Sequence, residues 1–386
     1  MAINQPLLDK IKADAVKQLT SENINSTNLH IDEKIFSPGD IIQSGKIQIS
    51  IEKETVMVFA DDDPLRNWGH PCRYLLYDAN SGELYNTVDS RFTPYLIDPP
   101  QSFKVFHQPV SFAPEAELPI PDLKKTSDTP LPNRYALLYS GASEKRHVND
   151  LEFLYRSLIS FNYAPENIYV LNYDGTTKYS SPYEPTNIWP VDNTPYKMKV
   201  NASGTKSELN NVLDELKSRL KPQDFLLLHT NNHGDGPTEQ QSNKESSLIT
   251  YSNPGTIVDY SAPEFVDKLS ELPKFAQMIV VMEQCHSGGF GDLIIKNGPA
   301  NEIACVSACN GLETSMGGKN FNPFMKAVIF RELHSCAKSN VNYNQSIIKA
   351  NPETFLKTDD DSTGSNRDNP EFKYNSSYSF FMHFYS

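Results

Sequence analysis

Met278-Ile-Val-Val-Met-Glu-Gln-Cys-His-Ser-Gly-Gly289 decides the reading of this chain. An unbroken apolar run stops at a reactive residue, Cys285, and glycine follows within four positions. A second stretch, Leu226-Leu-Leu-His-Thr-Asn-Asn-His-Gly-Asp-Gly236, has the same design and stops at His233. Parallel strands buried on both faces read as continuous apolar runs. Open α/β sheets place their ligands at the carboxyl ends of strands. Two neighbouring strand ends would deliver a thiol and an imidazole to one crevice, the minimum for a cysteine nucleophile with a base.

Around these two strands the text alternates between strand and helix. Tyr135-Ala-Leu-Leu-Tyr-Ser-Gly141 reads as a strand, Asn149 to Phe161 as a helix, and Asn167-Ile-Tyr-Val-Leu171 as a second strand. A Tyr/Pro/Ser/Asn-rich loop fills 174–202, either an edge of a cleft or a plain insertion. Thr205-x-x-Glu208 is a capping box opening a helix through Leu220. Ser261-x-x-Glu264, with Pro263 in the first turn, opens another. Ile303-Ala-Cys-Val-Ser-Ala308 is a fifth strand, Pro323 to Leu333 a helix, and Tyr378 to Phe384 a final strand. The stretch 357–374 is polar. Such alternation implies a mainly parallel sheet with helices on both faces.

Upstream the writing changes. Residues 1–20 have the spacing of a short amphipathic helix. From about 30 to 112 the chain is β-rich: Lys46-Ile-Gln-Ile-Ser-Ile-Glu52 alternates polar and apolar residues, and Thr55–Ala60 and Cys72–Asp78 are further strands. Asn80-Ser-Gly82 supplies a turn. The proline-rich stretch before Asn133 has no periodicity and reads as a semi-rigid linker. Three parts follow: a smaller β-rich N-terminal domain at 1–110, a linker at 111–132, and an α/β domain at 133–386. The N-terminal domain is expected to be a pro-domain, a docking module or a buttress.

The 386 residues carry 35 Lys and Arg against 48 Asp and Glu, a formal net charge of −13. An acidic chain repels phosphate backbones, so no nucleic-acid partner is expected. Asp61-Asp-Asp63 is read as a solvated turn before a calcium loop. Five scattered cysteines, Cys72, Cys285, Cys305, Cys309 and Cys336, do not make a disulfide framework. They fit a reducing compartment. The N-terminal segment lacks the apolar core of a secretory signal, and no stretch approaches a membrane span. A cytoplasmic protein, monomeric or weakly oligomeric, is expected, with export lacking a cleaved signal as the other route.

Cysteine attacks as the thiolate, and a nearby imidazole can take its proton. Glycine after each reactive residue lets the backbone turn and a substrate approach. The N–H groups of Gly234 and Cys285 would then form an oxyanion hole. His233 precedes Cys285 by 52 positions (285 − 233). At this point the chain resembles the caspase–legumain superfamily of cysteine peptidases, and within it the legumain-like enzymes. Four motifs carry the resemblance, in order: Arg146-His-Val-Asn-Asp150 after a strand, Asn232-His-Gly234, Glu283-Gln-Cys285 with Ser287-Gly-Gly289, and Ala308-Cys-Asn-Gly-Leu-Glu-Thr-Ser315. The resemblance covers roughly 133–335, and residues 1–130 show none. Asn232 stands where the family carries aspartate, and the histidine-orienting asparagine of legumains falls near Glu144.

The resemblance implies a caspase-like fold and a cysteine endopeptidase without cofactor, acting on protein or peptide. Cys285 and His233 are its catalytic pair, with Gly234 beside them and Glu144 as a candidate third member. It also implies that Arg146, Glu283 and Ser307 bind substrate. One arginine with one glutamate makes a mixed-charge pocket that suits a neutral amide. Asparagine is therefore the expected residue before the cut bond, and aspartate the second choice. Transfer of the acyl group to an amine, giving ligation, is open to the same residues. A catalytically silent binding protein of the same fold would be expected to have lost His233, Gly234 or Cys285. A metal-dependent hydrolase would use His229 and His233, four apart, but lacks a third ligand at useful spacing. His147 and His286 are read as structural or pocket-edge residues. A self-cleaving asparagine-specific enzyme would find Asn187 and Asn193 in the 174–202 loop.

Overall fold

The computed structural model describes residues 3–44, 47–66, 69–95, 100–111, 133–179, 187–237, 242–252, 258–318, 320–322 and 371–374. The expected helix at 323–333 and strand at 378–384, Cys336, and most of the proline-rich stretch lie outside the described residues. What is described falls into two compact units, one up to residue 111 and one from residue 133 onward.

The first unit is a β-sheet with one helix. Helix α1 (Gln5–Lys17) starts where the Asn4 side chain accepts the Leu7 N–H at 2.9 Å. Seven strands follow: β1 (Asn28–Phe36), β2 (Ile41–Ser44), β3 (Ile47–Ser50), β4 (Thr55–Asp61), β5 (Cys72–Asp78), β6 (Leu84–Ser90) and β7 (Phe103–His107). Five of them form an antiparallel sheet in the order β6-β5-β4-β1-β7, and β2 and β3 pair as a separate hairpin. Period-two alternation sorts the side chains. Leu29, Ile31, Val56, Val58, Leu75 and Tyr77 pack with Leu8, Ile11 and Ala15 of α1. Met57, Phe59, Tyr74 and Leu76 pack with Ile42 and Ile49 of the hairpin. The three aspartates at 61–63 are taken by protein partners, Asp61 by His70, Asp62 by Arg73 and Asp63 by Arg66.

The second unit is built on a sheet of order β18-β17-β16-β12-β8-β9. Its strands are β8 (Arg134–Ser140), β9 (Ile168–Asn172), β12 (Phe225–Thr230), β16 (Phe275–Met282), β17 (Ala300–Ser307) and β18 (Glu371–Tyr374). The first five are parallel, and β18 adds an antiparallel edge. Between them come β10 (Ile188–Trp189) pairing with β11 (Thr194–Pro195), and a three-stranded antiparallel sheet of β13 (Gly234–Asp235), β14 (Ser247–Thr250) and β15 (Val258–Ser261). Neither small sheet is signalled by periodicity, because two to four residues are too short to show any.

Helix α2 (Lys145–Ser160) covers one face of the main sheet, with Leu151, Leu154 and Leu158 on Leu138, Val170, Leu227 and Val281. Helices α3 (Lys206–Arg219), α4 (Ala262–Ser270) and α5 (Gly288–Asn297) cover the other, on Leu137, Leu171, Leu228 and Val280. Each such side chain contributes about 1.5–3 kcal/mol by leaving water, which is why the strand texts are mostly apolar. The fold is mixed α/β, as expected from the alternation, and is compatible with a caspase-like architecture. Among the described residues no helix is long and apolar enough to cross a membrane.

Two local expectations need correction. Helix α2 begins four residues before Asn149, because Glu144 caps it: its N–H donates to His147 Nδ1 at 3.0 Å. Glutamate and histidine are not usual cap residues, so the start was not legible. Ser261 does precede α4, but its side chain makes no cap hydrogen bond. Thr205 does cap α3, accepting from the Glu208 N–H at 3.2 Å.

The register fixes where the chemistry can occur. Tyr139, Thr230, Met282 and Ser307 are paired side by side across β8, β12, β16 and β17. His233 and Cys285 each lie three residues beyond this row (233 − 230 and 285 − 282). The chain leaves β8 towards β9 on one side and returns to β12 on the other, so the crevice opens between the ends of β8 and β12.

Candidate active site

The ends of β12 and β16 stay joined beyond the regular ladder. The Glu283 N–H donates to the Thr230 carbonyl at 2.8 Å, and the Thr230 hydroxyl donates to Gln284 Oε1 at 2.7 Å. His229 Nε2 lies 2.5 Å from Glu283 Oε1, both side chains fully buried. The next residues then pack backbone against backbone. A methyl group on Gly234 would sit 2.1 Å from the Cys285 carbonyl oxygen and 2.8 Å from Gln284 Cγ. Only glycine permits that approach, so the residue after His233 and the residue Cys285 are brought together by the fold.

His233 is held from its other side by the end of β8. Glu144 Oε1 lies 3.0 Å from His233 Nε2, while Oε2 pairs with the Arg146 guanidinium. The low-polarity surroundings alone would raise the Glu144 carboxyl. The Arg146 charge and the contact with His233 outweigh them and hold it well below the usual carboxylate range. His147 stands edge-on to His233, with centroids 5.0 Å apart at 82°. Burial first, and then the Arg146 and His233 charges, push the His147 imidazole well below its ordinary value. It is therefore neutral at pH 7, with Nδ1 accepting from Glu144 and the proton on Nε2. The Asn231 amide donates to the His147 carbonyl at 2.8 Å, tying α2 to the chain just before His233.

Beyond Cys285 the chain turns sharply. His286 adopts φ +59°, a left-handed conformation uncommon outside glycine. Its N–H donates to the Glu313 carbonyl at 2.8 Å, and its Nδ1 donates to the Gly311 carbonyl at 3.1 Å. The same segment passes over the thiol: Cys285 Sγ lies 3.9 Å from the Ser315 carbonyl oxygen and 3.7 Å from its hydroxyl. Cys285 and His233 are both buried, at 0% and 1% exposure. Cys305, by contrast, sits in the sheet interior, where burial pushes its thiol up to about 12. Burial likewise raises the Cys72 thiol.

Arg146, Glu144, Glu283 and His229 thus gather with His233 on the α2 side of the sheet. Arg146 is tied to Glu144 and Glu283 to His229, rather than the two facing each other as bare charges. Ser307 lies elsewhere. It follows Cys305 by two on β17, so it faces α5 on the opposite side from Arg146 and Glu283. Two residues of the site, Ser315 and Asn231, escape the sequence reading, and a third, His229, is read there in another role. Ser315 is part of a motif but gave no sign of touching the thiol. His229 is weighed there only as a metal ligand with His233 and not as a partner of Glu283, and Asn231 reads as one more loop asparagine. Among the described residues no group of three or more His, Cys, Asp or Glu side chains is placed to share a metal ion.

No family model matches this chain. It is similar to Metacaspase-7 of Arabidopsis thaliana. The two are 25% identical over 158 residues, 40% of this chain and 34% of that protein. The match therefore spans about a third of the relative's length. Among solved structures, a protein from Geobacter sulfurreducens aligns with a TM-score of 0.38 at 11% identity, covering 64% of this chain and 95% of that one.

Proposed function

We propose that this protein is a cysteine endopeptidase in which Cys285 is the nucleophile and His233 the base. The observation that carries the reading is the packing of Gly234 on the Cys285 carbonyl, which sets the two segments side by side at the sheet end. The partial likeness to a metacaspase supports the same class. Glu144 orients the imidazole through Nε2, so Nδ1 is the nitrogen that exchanges the proton with Cys285. The thiolate adds to the peptide carbonyl, forming the Sγ–C bond and an oxyanion. The N–H groups of Gly234 and Cys285 stabilise that charge. The C–N bond then breaks as His233 returns the proton to the leaving amine. Water, deprotonated by His233, hydrolyses the thioester and restores the thiol. An amine in place of water would give ligation.

The residue before the cut bond enters between Arg146 and Glu283. A mixed-charge pair supports asparagine first, with aspartate second. A second reading is favoured by the pairing of Arg146 with Glu144. That pairing offsets the positive half of the pocket and leaves Glu283 as its net charge, which would take lysine or arginine. Digestion of a diverse peptide mixture by the wild-type chain and by Cys285→Ala, with products sequenced by mass spectrometry, tests both. Cuts after asparagine that vanish in the variant support the first reading, and cuts after lysine or arginine the second. Equal product patterns from the two proteins would overturn the nucleophile.

A further inference from the structure

Resting on the reading of Glu283 as a pocket residue, we propose that His229 is its positioning residue. By holding one carboxylate oxygen, His229 aims the other at the substrate and so sets the choice of residue at the cut bond. His229 projects from β12 and Glu283 from the residue just past the end of β16, both on the α2 side, and each is fully buried. His229 Nε2 engages Oε1. Oε2, equally buried, has no hydrogen-bond partner among the described residues. A buried carboxylate oxygen left without a donor is costly, and an uncompensated one in a folded protein calls for a ligand or a function. A carboxylate is rigid, so anchoring one oxygen by a ring on a buried strand fixes the direction of the second. The unsatisfied acceptor then waits for a donor from outside the fold, an amide or a cationic side chain.

The surroundings narrow the alternatives. Main-chain and Thr230–Gln284 hydrogen bonds already join β12 to β16 at this point. The His229–Glu283 contact is therefore not needed to hold the strand ends. Arg146, the other charge of the pocket, is occupied by Glu144. Discrimination among substrates thus falls on the orientation of Glu283, and that orientation on His229.

The test uses the full chain and four peptides identical except for Asn, Asp, Arg or Lys before the cut bond. kcat and KM are measured separately for wild type, Glu283→Gln, His229→Leu and His229→Gln, with melting temperatures as a folding control. His229→Leu should raise KM for the preferred peptide about tenfold, narrow the spread between first and second choice by a similar factor, and leave kcat within about threefold. His229→Gln, which keeps an N–H donor on a longer stem, should recover most of the spread. Should His229→Leu fail to fold, His229→Asn, too short to reach Glu283, takes its place. An unchanged preference in His229→Leu, whatever happens to kcat, would overturn the inference and make the pair a plain lock between strands. An unchanged preference in Glu283→Gln would overturn the pocket reading itself.

Discussion

The Glu144 carboxylate is shared between two residues of different purpose, with Oε1 at 3.0 Å from His233 Nε2 and Oε2 on the Arg146 guanidinium. On the proposed mechanism, one side chain would thereby orient the base and offset the charge of a neighbouring pocket. The Glu144 N–H, donating to His147 Nδ1, closes the first turn of α2 and explains why this helix starts where it does. The site is built where the connection from β8 meets the connection from β12.

Glu144→Gln tests the shared role. The amide keeps the shape but loses the charge that favours the imidazolium, so kcat should fall about 10- to 100-fold. Arg146 would lose its neutralising partner, so cleavage after aspartate should rise relative to asparagine. The linkage has a definite sign. A carboxyl held below its ordinary value of 4.5 supports the fold above that pH and loses this support only in stronger acid. Steady-state kinetics on paired Asn and Asp peptides check the first two expectations, and acid titration of the fold the third.

His147 predicts a pH dependence of stability in the opposite region. The folded protein keeps its imidazole neutral, while the unfolded chain binds a proton below about 6.5. The unfolded state therefore gains protons first, and stability drops as pH falls from 7 towards 5. His147→Asn keeps an acceptor for the Glu144 N–H and removes the titration. The fall in melting temperature of this unit between pH 7.5 and 5.5 should be smaller in the variant. His30, in the other unit and also lowered by burial, adds a fall of the same sign there. An equal fall in variant and wild type would exclude the assignment.

Much of this arrangement could be read from the chain, for physical reasons. Strands such as Phe225–Thr230 and Phe275–Met282 carry mostly apolar runs because both faces of the sheet are covered. His233 and Cys285 stood out because each follows such a run with glycine close behind, at Gly234 and Gly288. Polar side chains inside the runs were opaque. His229 looks like an interruption until Glu283 is found beside it just past the end of the neighbouring strand, 54 positions later. Such partners are set by register, and register is not local information. Ser307 was assigned to the pocket by resemblance alone, and strand alternation turns it to the α5 side.

Gly234→Ala should abolish activity while leaving most of the fold intact. The added methyl would lie 2.1 Å from the Cys285 carbonyl, so the two segments must separate. A shift of about 1 Å at a reacting pair is enough to cost about 100-fold in rate. The loss should appear in kcat, with the far-ultraviolet circular dichroism spectrum unchanged. Retained activity in this variant would mean that the close approach of the two loops is not part of catalysis.

His286 offers the sharpest separation of backbone from side chain. Its φ of +59° places the turn after Cys285 in the left-handed region, which asparagine tolerates and β-branched residues do not. His286→Asn should therefore melt close to wild type. His286→Val should lose about 1–3 kcal/mol from backbone strain, along with the donor to Gly311. His286→Gly separates the two effects, because it removes the strain and the side chain together. If the left-handed turn is what aims the Cys285 N–H, glycine should keep more activity than valine despite lacking any side chain at all. Melting curves and kcat for the three variants decide the point: equal activity of the glycine and valine variants would place the importance of His286 in its ring, not in its backbone.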